Sequence, residues 1–227
     1  MFKRFLIEPL FIYPRYLFKV ISIQKNELKD LFFVRGNSSS SFAYFLVINN
    51  VIIIIMSNPK SQIETDQNIT NFLGDTMITT PKDLVILKYK IWHYLKFRPY
   101  NITTKKDADN LQWKRTAAEI IKDKYVYCGK ACSDLAIVFL ALCKAVGIKG
   151  RLVKLKSIDN SNLTHSIVEI NLKGSWYRID PSNKDSTPFK GGLTRKSIWN
   201  KKYKVWKKGR DVWDLGLNDI KSENKII

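Results

Sequence analysis

The stretch from Gly129 to Asp180 constrains this chain more than any other. It reads GKACSDLAIVFLALCKAVGIKGRLVKLKSIDNSNLTHSIVEINLKGSWYRID. From Ser133 to Val146 nearly every residue is a good helix former, and Gly147 stands where a helix stop is expected. Leu135, Phe139, Leu142 and Val146 fall at helical spacing on one face. Ala136, Ile137, Val138, Leu140, Ala141 and Ala145 make the remaining faces apolar too. A helix that is apolar all round is buried, so a domain must be built around this one. Cys132 is expected at its mouth, at N-cap or N1, with Asp134 in the first turn, where the helix dipole favours an acid. Backbone N–H groups at a helix N-terminus favour the thiolate, and the thiolate is the nucleophile.

The residues that follow read as strands. Arg151–Lys156 is one, Ile158–Leu163 a polar loop, and Thr164–Ile170 and Ser175–Ile179 alternate well enough to form a hairpin. Asn171-Leu172-Lys173-Gly174 supplies turn residues. An in-register hairpin centred between Leu172 and Lys173 sets His165 directly opposite Asp180, with Cβ atoms about 4.5–5.5 Å apart. Cys132, His165 and Asp180 thus come in the order of nucleophile, base and orienting acid. The competing readings are a buried structural cysteine and a turn-starting aspartate before Pro181. The other histidine, His93, lies on an amphipathic segment and reads as an ordinary helix residue. Cys143 faces the same way as Cys132 about three turns deeper and reads as core. Cys128 reads as loop. Cys128, Cys132 and His165 lack the second ligand pair of a usual zinc site.

The segments A-C-S-D-L-A, A-V-G-I-K-G-R-L-V, T-H-S-I-V-E-I and W-Y-R-I-D-P resemble the core of the transglutaminase-like superfamily, over about residues 80–215. The resemblance implies an α+β fold of papain-like architecture, a central buried helix packed on an antiparallel sheet. It places the family's nucleophile, base and orienting acid on Cys132, His165 and Asp180. Two positions depart from the usual pattern: Lys130 where glycine is common two before the cysteine, and Ser166 where an aromatic often follows the histidine. Arg151 resembles a structural arginine of the family, an ion pair or strand anchor. The implied chemistry is thiol-dependent acyl transfer or hydrolysis at amide or peptide bonds, with hydrolysis favoured, and it requires no metal or organic cofactor. The Cys132 N–H is a natural oxyanion donor; Trp113, Tyr125 and Tyr127 are candidates for a second. The alternative function is a non-catalytic binding module on the same fold, taking nucleic acid or another anionic partner.

The remainder is read around this core. The chain has 227 residues and a formal net charge of +19. Its Lys, Asn and Ile bias points to genome composition before a nucleic-acid role. Peptide or protein amide is the favoured partner. An odd cysteine count with a free thiol fits a reducing, cytoplasmic setting. Residues 1–56 differ from all that follows and read as an extension outside the functional chain, Met56 being its true start, or as a membrane-associated segment. The apolar run Ser41–Met56 is shorter than the roughly 20 residues of a spanning helix. Residues 57–79 read as a loose polar arm, 80–217 as the domain and 218–227 as a polar tail. Within the domain, Thr80-Pro81-Lys82-Asp83 opens a helix to about Phe97, with Leu84, Leu87, Ile91 and Leu95 inward. A second helix is expected over Asp107–Asp123, with Leu111, Ala118 and Ile121 inward. Pro181–Gly192 reads as loop. Trp199, Tyr203 and Trp206, spaced by four and three, suggest a helical edge with its aromatics packed inward; the basic stretch Lys190–Lys208 around them could also track a phosphate backbone.

Overall fold

The computed structural model describes residues 18–22, 43–48, 51–56, 61–159 and 161–226, which belong to two compact units, Met1–Lys60 and Ser61–Ile227. In the first, β1 (Phe18–Ser22), β2 (Ala43–Ile48) and β3 (Val51–Met56) form an antiparallel sheet in the order β1-β3-β2. The apolar run Ser41–Met56, expected as part of an extension or membrane-associated segment, contains two of these strands. The rest of residues 1–56 lies outside the described residues. Among the described residues no helix is long and apolar enough to cross a membrane.

In the second unit, residues 61–79 do not form the expected loose arm. Asp66 accepts from the Ile69 N–H at 3.0 Å and caps α1 (Gln67–Leu73), which buries Ile69 and Leu73. Gln62 is wholly buried, and its amide donates to the carbonyls of Trp113 at 3.1 Å and Arg115 at 2.8 Å. A polar composition here satisfies backbone groups instead of facing water. The expected polar tail contains the 3-10 helix Ile220–Lys225, and Ile226 behind it is 1% exposed.

A capping box between Thr80 and Asp83 starts α2 (Pro81–Tyr94), and Leu84, Leu87, Ile91 and Leu95 are buried as their spacing demands. The helix ends short of Phe97 because β4 (Lys96–Arg98) pairs in parallel with β5 (Tyr125–Tyr127). The single helix expected over Asp107–Asp123 is two, α3 (Lys105–Leu111) and α4 (Ala117–Asp123). Trp113 takes a left-handed φ of 60° between them, and Thr116 opens α4 with its own capping box to Glu119. The break turns Ala117 and Ile120 inward beside Ile121, leaving Leu111 and Ala118 half-buried.

The central helix is α5 (Ala131–Ala145), and every residue from Leu135 to Cys143 on it is buried. Leu135, Ile137, Val138, Phe139, Leu140 and Leu142 are at most 1% exposed; each contributes about 1.5–3 kcal/mol of burial. Gly147, at φ 76°, closes the helix: its N–H reaches the Lys144 carbonyl at 3.0 Å and the Ile148 N–H reaches Cys143 at 2.9 Å. The helix packs on a six-stranded antiparallel sheet through Leu152, Val168, Ile170 and Ile179. The sheet comprises β6 (Gly150–Ser157), β7 (Thr164–Leu172), β8 (Ser175–Ile179), β9 (Phe189–Lys190), β10 (Ile198–Trp199) and β11 (Tyr203–Gly209), in the order β10-β11-β6-β7-β8-β9. This is the α+β architecture the resemblance implies.

Two details of the sheet differ from expectation. Leu172 lies opposite Ser175 and Val168 opposite Ile179, so the β7–β8 turn is centred between Lys173 and Gly174. Both turn residues have positive φ, 48° and 84°, as a tight two-residue hairpin turn requires. The register is therefore offset by two residues from the expected one, and His165 and Asp180 are not directly opposed. An offset of two leaves every side chain on its expected face, because strand side chains alternate with period two. Second, Arg195–Arg210 is not helical. Trp199 pairs with Tyr203 across a turn in which Asn200 and Lys201 have φ of 51° and 57°. A bulge between Val205 and Lys207 then sends Trp206 to the main core, while Tyr203 and Val205 join a second cluster with Val153, Leu155 and Ile167. The steps of four and three arise from one turn and one bulge. The loop Pro181–Gly192 also contributes the short strand β9.

Candidate active site

Lys130 is the N-cap residue of α5, so Cys132 is the second helical residue, one position further in than the deepest expected. Its N–H is among the first four of the helix, which have no intrahelical acceptor. The first turn is held from behind by Arg115, 5% exposed, which donates to Asp134 at 2.5 Å, to Asp123 at 3.1 Å and to the Tyr125 carbonyl at 3.2 Å.

Two consecutive residues of the helix meet two consecutive residues of β7. Cys132 and His165 perturb each other's protonation, and Ser133 Oγ lies 2.9 Å from Ser166 Oγ. Ser133 also accepts from the Trp113 indole N–H at 3.1 Å, and Ser166 accepts from Lys154 Nζ at 3.2 Å. The serine that replaces an aromatic after His165 is thus bound into a buried polar chain. Beyond Val168 the start of β7 has no partner on β8, whose last pair is Ile179 with Val168. His165 and Asp180 flank that gap, and Nε2 of the ring meets Asp180 Oδ2 at 2.7 Å. Nδ1 is left for Cys132. The diagonal contact achieves what direct opposition was expected to.

The loop after β8 holds Asp180 rigidly. Its Oδ1 accepts from the Ser182 N–H at 2.9 Å and from Ser182 Oγ at 2.7 Å, and its own N–H donates to Ser186 Oγ at 3.0 Å. From α2, Lys88 Nζ donates to the carbonyls of Asn183 at 3.1 Å and of Lys184 and Ser186 at 2.5 Å. One turn on, the Trp92 indole donates to the Pro181 carbonyl at 2.7 Å. Lys88 is 1% exposed. Lys88→Met is expected to lower stability by about 2–3 kcal/mol, since hydrogen bonds to charged groups are worth roughly 1.5–3 kcal/mol. That is a fall of roughly 5–10 °C in thermal midpoint for a chain of this size. A midpoint within about 2 °C of the native value would show that the clamp is dispensable.

The electrostatics set the protonation states. Burial alone would push the Cys132 thiol up. The hydrogen bond with His165 and the charges of Lys154 and His165 outweigh it, and the thiol falls to about 6. Burial alone would pull the His165 imidazole down, but its hydrogen bonds to Asp180 and Cys132 and their charges raise it to about 10. Asp180 is pushed up by burial and brought below the usual carboxylate range by His165 and Ser182. At neutral pH the pair is thiolate and imidazolium. Cys143, by contrast, is wholly buried and its thiol is pushed well up, while Cys128 is exposed in the loop.

Of the expected oxyanion donors, the indole of Trp113 is committed to Ser133 and the hydroxyl of Tyr127 to Asp107 at 3.2 Å. Tyr125 is packed under Arg98, whose guanidinium lies 3.5 Å from the ring centre. Arg151 is the expected strand anchor and bonds the buried Glu169 at 2.6 Å. The sequence reading missed Lys88, Lys154 and Tyr203. Tyr203 stacks on His165 with ring centres 5.6 Å apart. Their only sequence signals were a lysine on the apolar face of α2, a lysine inside an apolar strand and an aromatic in a basic stretch.

Residues 76–181 match the family model of the transglutaminase-like superfamily. No curated protein matches the chain. Among solved structures, one from Cytophaga hutchinsonii, provisionally described as a cysteine protease, is similar at 14% identity over 87% of this chain and 77% of its own, with a TM-score of 0.34. A TGase is similar at 10% identity over 70% of this chain and 48% of its own, with a TM-score of 0.39. The chain spans about half the length of that second protein.

Proposed function

We propose, from the match of residues 76–181 to the family model of the transglutaminase-like superfamily, that this chain is a thiol-dependent enzyme of amide or peptide bonds, with Cys132 as nucleophile, His165 as acid and base, and Asp180 as orienting acid. The observation that carries the reading is the His165 imidazole, 2.7 Å from the Asp180 carboxylate and beside the half-buried Cys132 thiol in the first turn of α5. The Cys132 thiolate attacks the carbonyl carbon. A C–S bond forms, and the carbonyl π pair moves to oxygen, which the Cys132 N–H is placed to receive. The C–N bond breaks as the His165 imidazolium gives its proton to the departing amine. The thioester is then opened by water or by a second amine. That acceptor gives its proton to His165, and Cys132 leaves as thiolate. Asp180 keeps the ring in the tautomer that serves both steps.

The test is alkylation of the full chain by iodoacetamide near neutral pH, with the modified cysteine mapped by mass. Cys132 is expected to react first, ahead of exposed Cys128, because a thiol near 6 is mostly thiolate at that pH. Faster labelling of Cys128 or Cys143 would sink the assignment. An ordinary thiol rate at Cys132 would favour a non-catalytic binding module on the same fold.

A further inference from the structure

Lys154 is the group in this site that the mechanism above leaves unused. It lies on β6 across from Ser166 of β7 and is 1% exposed. Its Nζ donates to Ser166 Oγ at 3.2 Å and stands 4.9 Å from the centre of the Trp113 ring. Among the described residues no carboxylate forms an ion pair with it. The other buried lysine, Lys88, has three backbone carbonyls; Lys154 has one hydroxyl and a ring face. A buried ammonium so poorly compensated is costly unless an anion stands nearby.

The hydrogen-bond chain makes the need for an anion sharper. Lys154 and the indole of Trp113 can only donate, and they enter the Ser166–Ser133 pair from its two ends. One serine hydroxyl hydrogen is used between the two serines, and the other is left over. The pocket is therefore rich in donors and positive. The residues that precede its two serines are Cys132 and His165. A methionine would fill the same space without the charge.

We propose that Lys154 is a positioning residue for the nucleophile, a buried counter-charge that holds the Cys132 sulfur as thiolate separately from His165. The inference rests on Cys132 being the nucleophile. The groups that act on that sulfur are His165 from β7, Asp180 after β8, Lys154 from β6 and Tyr203 from β11. Lys154 in turn is pulled down by burial and raised by the Cys132 thiolate and by Glu223 of the 3-10 helix, with Lys130 at the α5 cap opposing them.

The experiment measures the rate of Cys132 alkylation by iodoacetamide against pH in the full chain. Lys154→Met should move the inflection up by about one pH unit, the low end of what a nearby charge does. That is a roughly fivefold slower reaction at pH 6 and no change in the high-pH plateau. Lys154→Arg should keep most of the native profile. An inflection for folded Lys154→Met within about 0.2 units of native would overturn the proposal and leave Lys154 as a packing residue on Trp113. If Lys154→Met does not fold, linkage supplies the converse measurement, because coupling between two groups is reciprocal. The titration of the Lys154 ε-carbon, followed by NMR, should fall in Cys132→Ala by a similar amount, and an unmoved titration would likewise overturn it. Failure of the triad reading looks different: His165→Ala would then leave the alkylation profile of Cys132 unchanged.

Discussion

His165→Ala is expected to abolish nearly all turnover, by on the order of 10⁴–10⁶, as loss of a triad base does in comparable sites. The same substitution should be legible without any substrate. Burial pushes the Cys132 thiol up, and the His165 hydrogen bond is the largest opposing effect. With the ring gone, the alkylation inflection should climb from about 6 to at least about 8.5, the value of a free thiol. The thiolate fraction at pH 6.5 then falls more than about tenfold. The sign follows from the charges: a cationic partner stabilises the ionised sulfur, so removing it favours the thiol. On the proposed mechanism, activity needs the thiolate, present above about 6, and the imidazolium, present below about 10. The rate profile against pH should be flat between those values and fall on both sides. A native profile centred below pH 6, or an inflection unmoved in His165→Ala, would sink the ion-pair account.

The central helix was readable because its signal is redundant. Thirteen residues of propensity and apolarity agree about Ser133–Ala145, and Gly147 ends it by a conformation that glycine adopts readily. The nearness of His165 and Asp180 was readable for a related reason. The faces of these two depend only on strand parity, so an error of two in the register still left them in contact. What was lost depends on tertiary partners. The break at Trp113 needed the Thr116–Glu119 capping box to be weighed above the apolar spacing that runs through it. The 199–206 spacing looked helical because a turn and a bulge insert residues into an alternating pattern. Gln62, Lys88 and Lys154 carry the polarity of surface residues, and nothing along the chain reveals the carbonyls and hydroxyl that accept from them inside. Buried polar groups are specified by their partners, and partners distant in sequence leave no local mark.

Asp180→Asn should lower turnover by about 10²–10⁴ while leaving the fold intact, and the reason is visible in the three donors around the carboxylate. Oδ1 accepts from both the N–H and the hydroxyl of Ser182, and Oδ2 accepts from His165. An asparagine here has one oxygen, and the two Ser182 donors compel it to take the Oδ1 position. Its NH₂ must then face His165 Nε2. A donor there forces Nε2 to accept, so the ring proton moves to Nδ1, the nitrogen that has to work on Cys132. The imidazole is left in the wrong tautomer, which is the mechanism by which such a change costs orders of magnitude. It also loses the carboxylate whose hydrogen bond raises it to about 10, so the ring should titrate much nearer the ordinary histidine value. The Ser182 bonds and the side-chain shape survive, so the thermal midpoint should stay within a few degrees of native. If, as proposed, Asp180 acts only through the ring, adding Asp180→Asn to His165→Ala should cost almost nothing further. Two losses that multiply in the double variant would mean that Asp180 works on the reaction by some route other than His165, and the orienting role would be wrong.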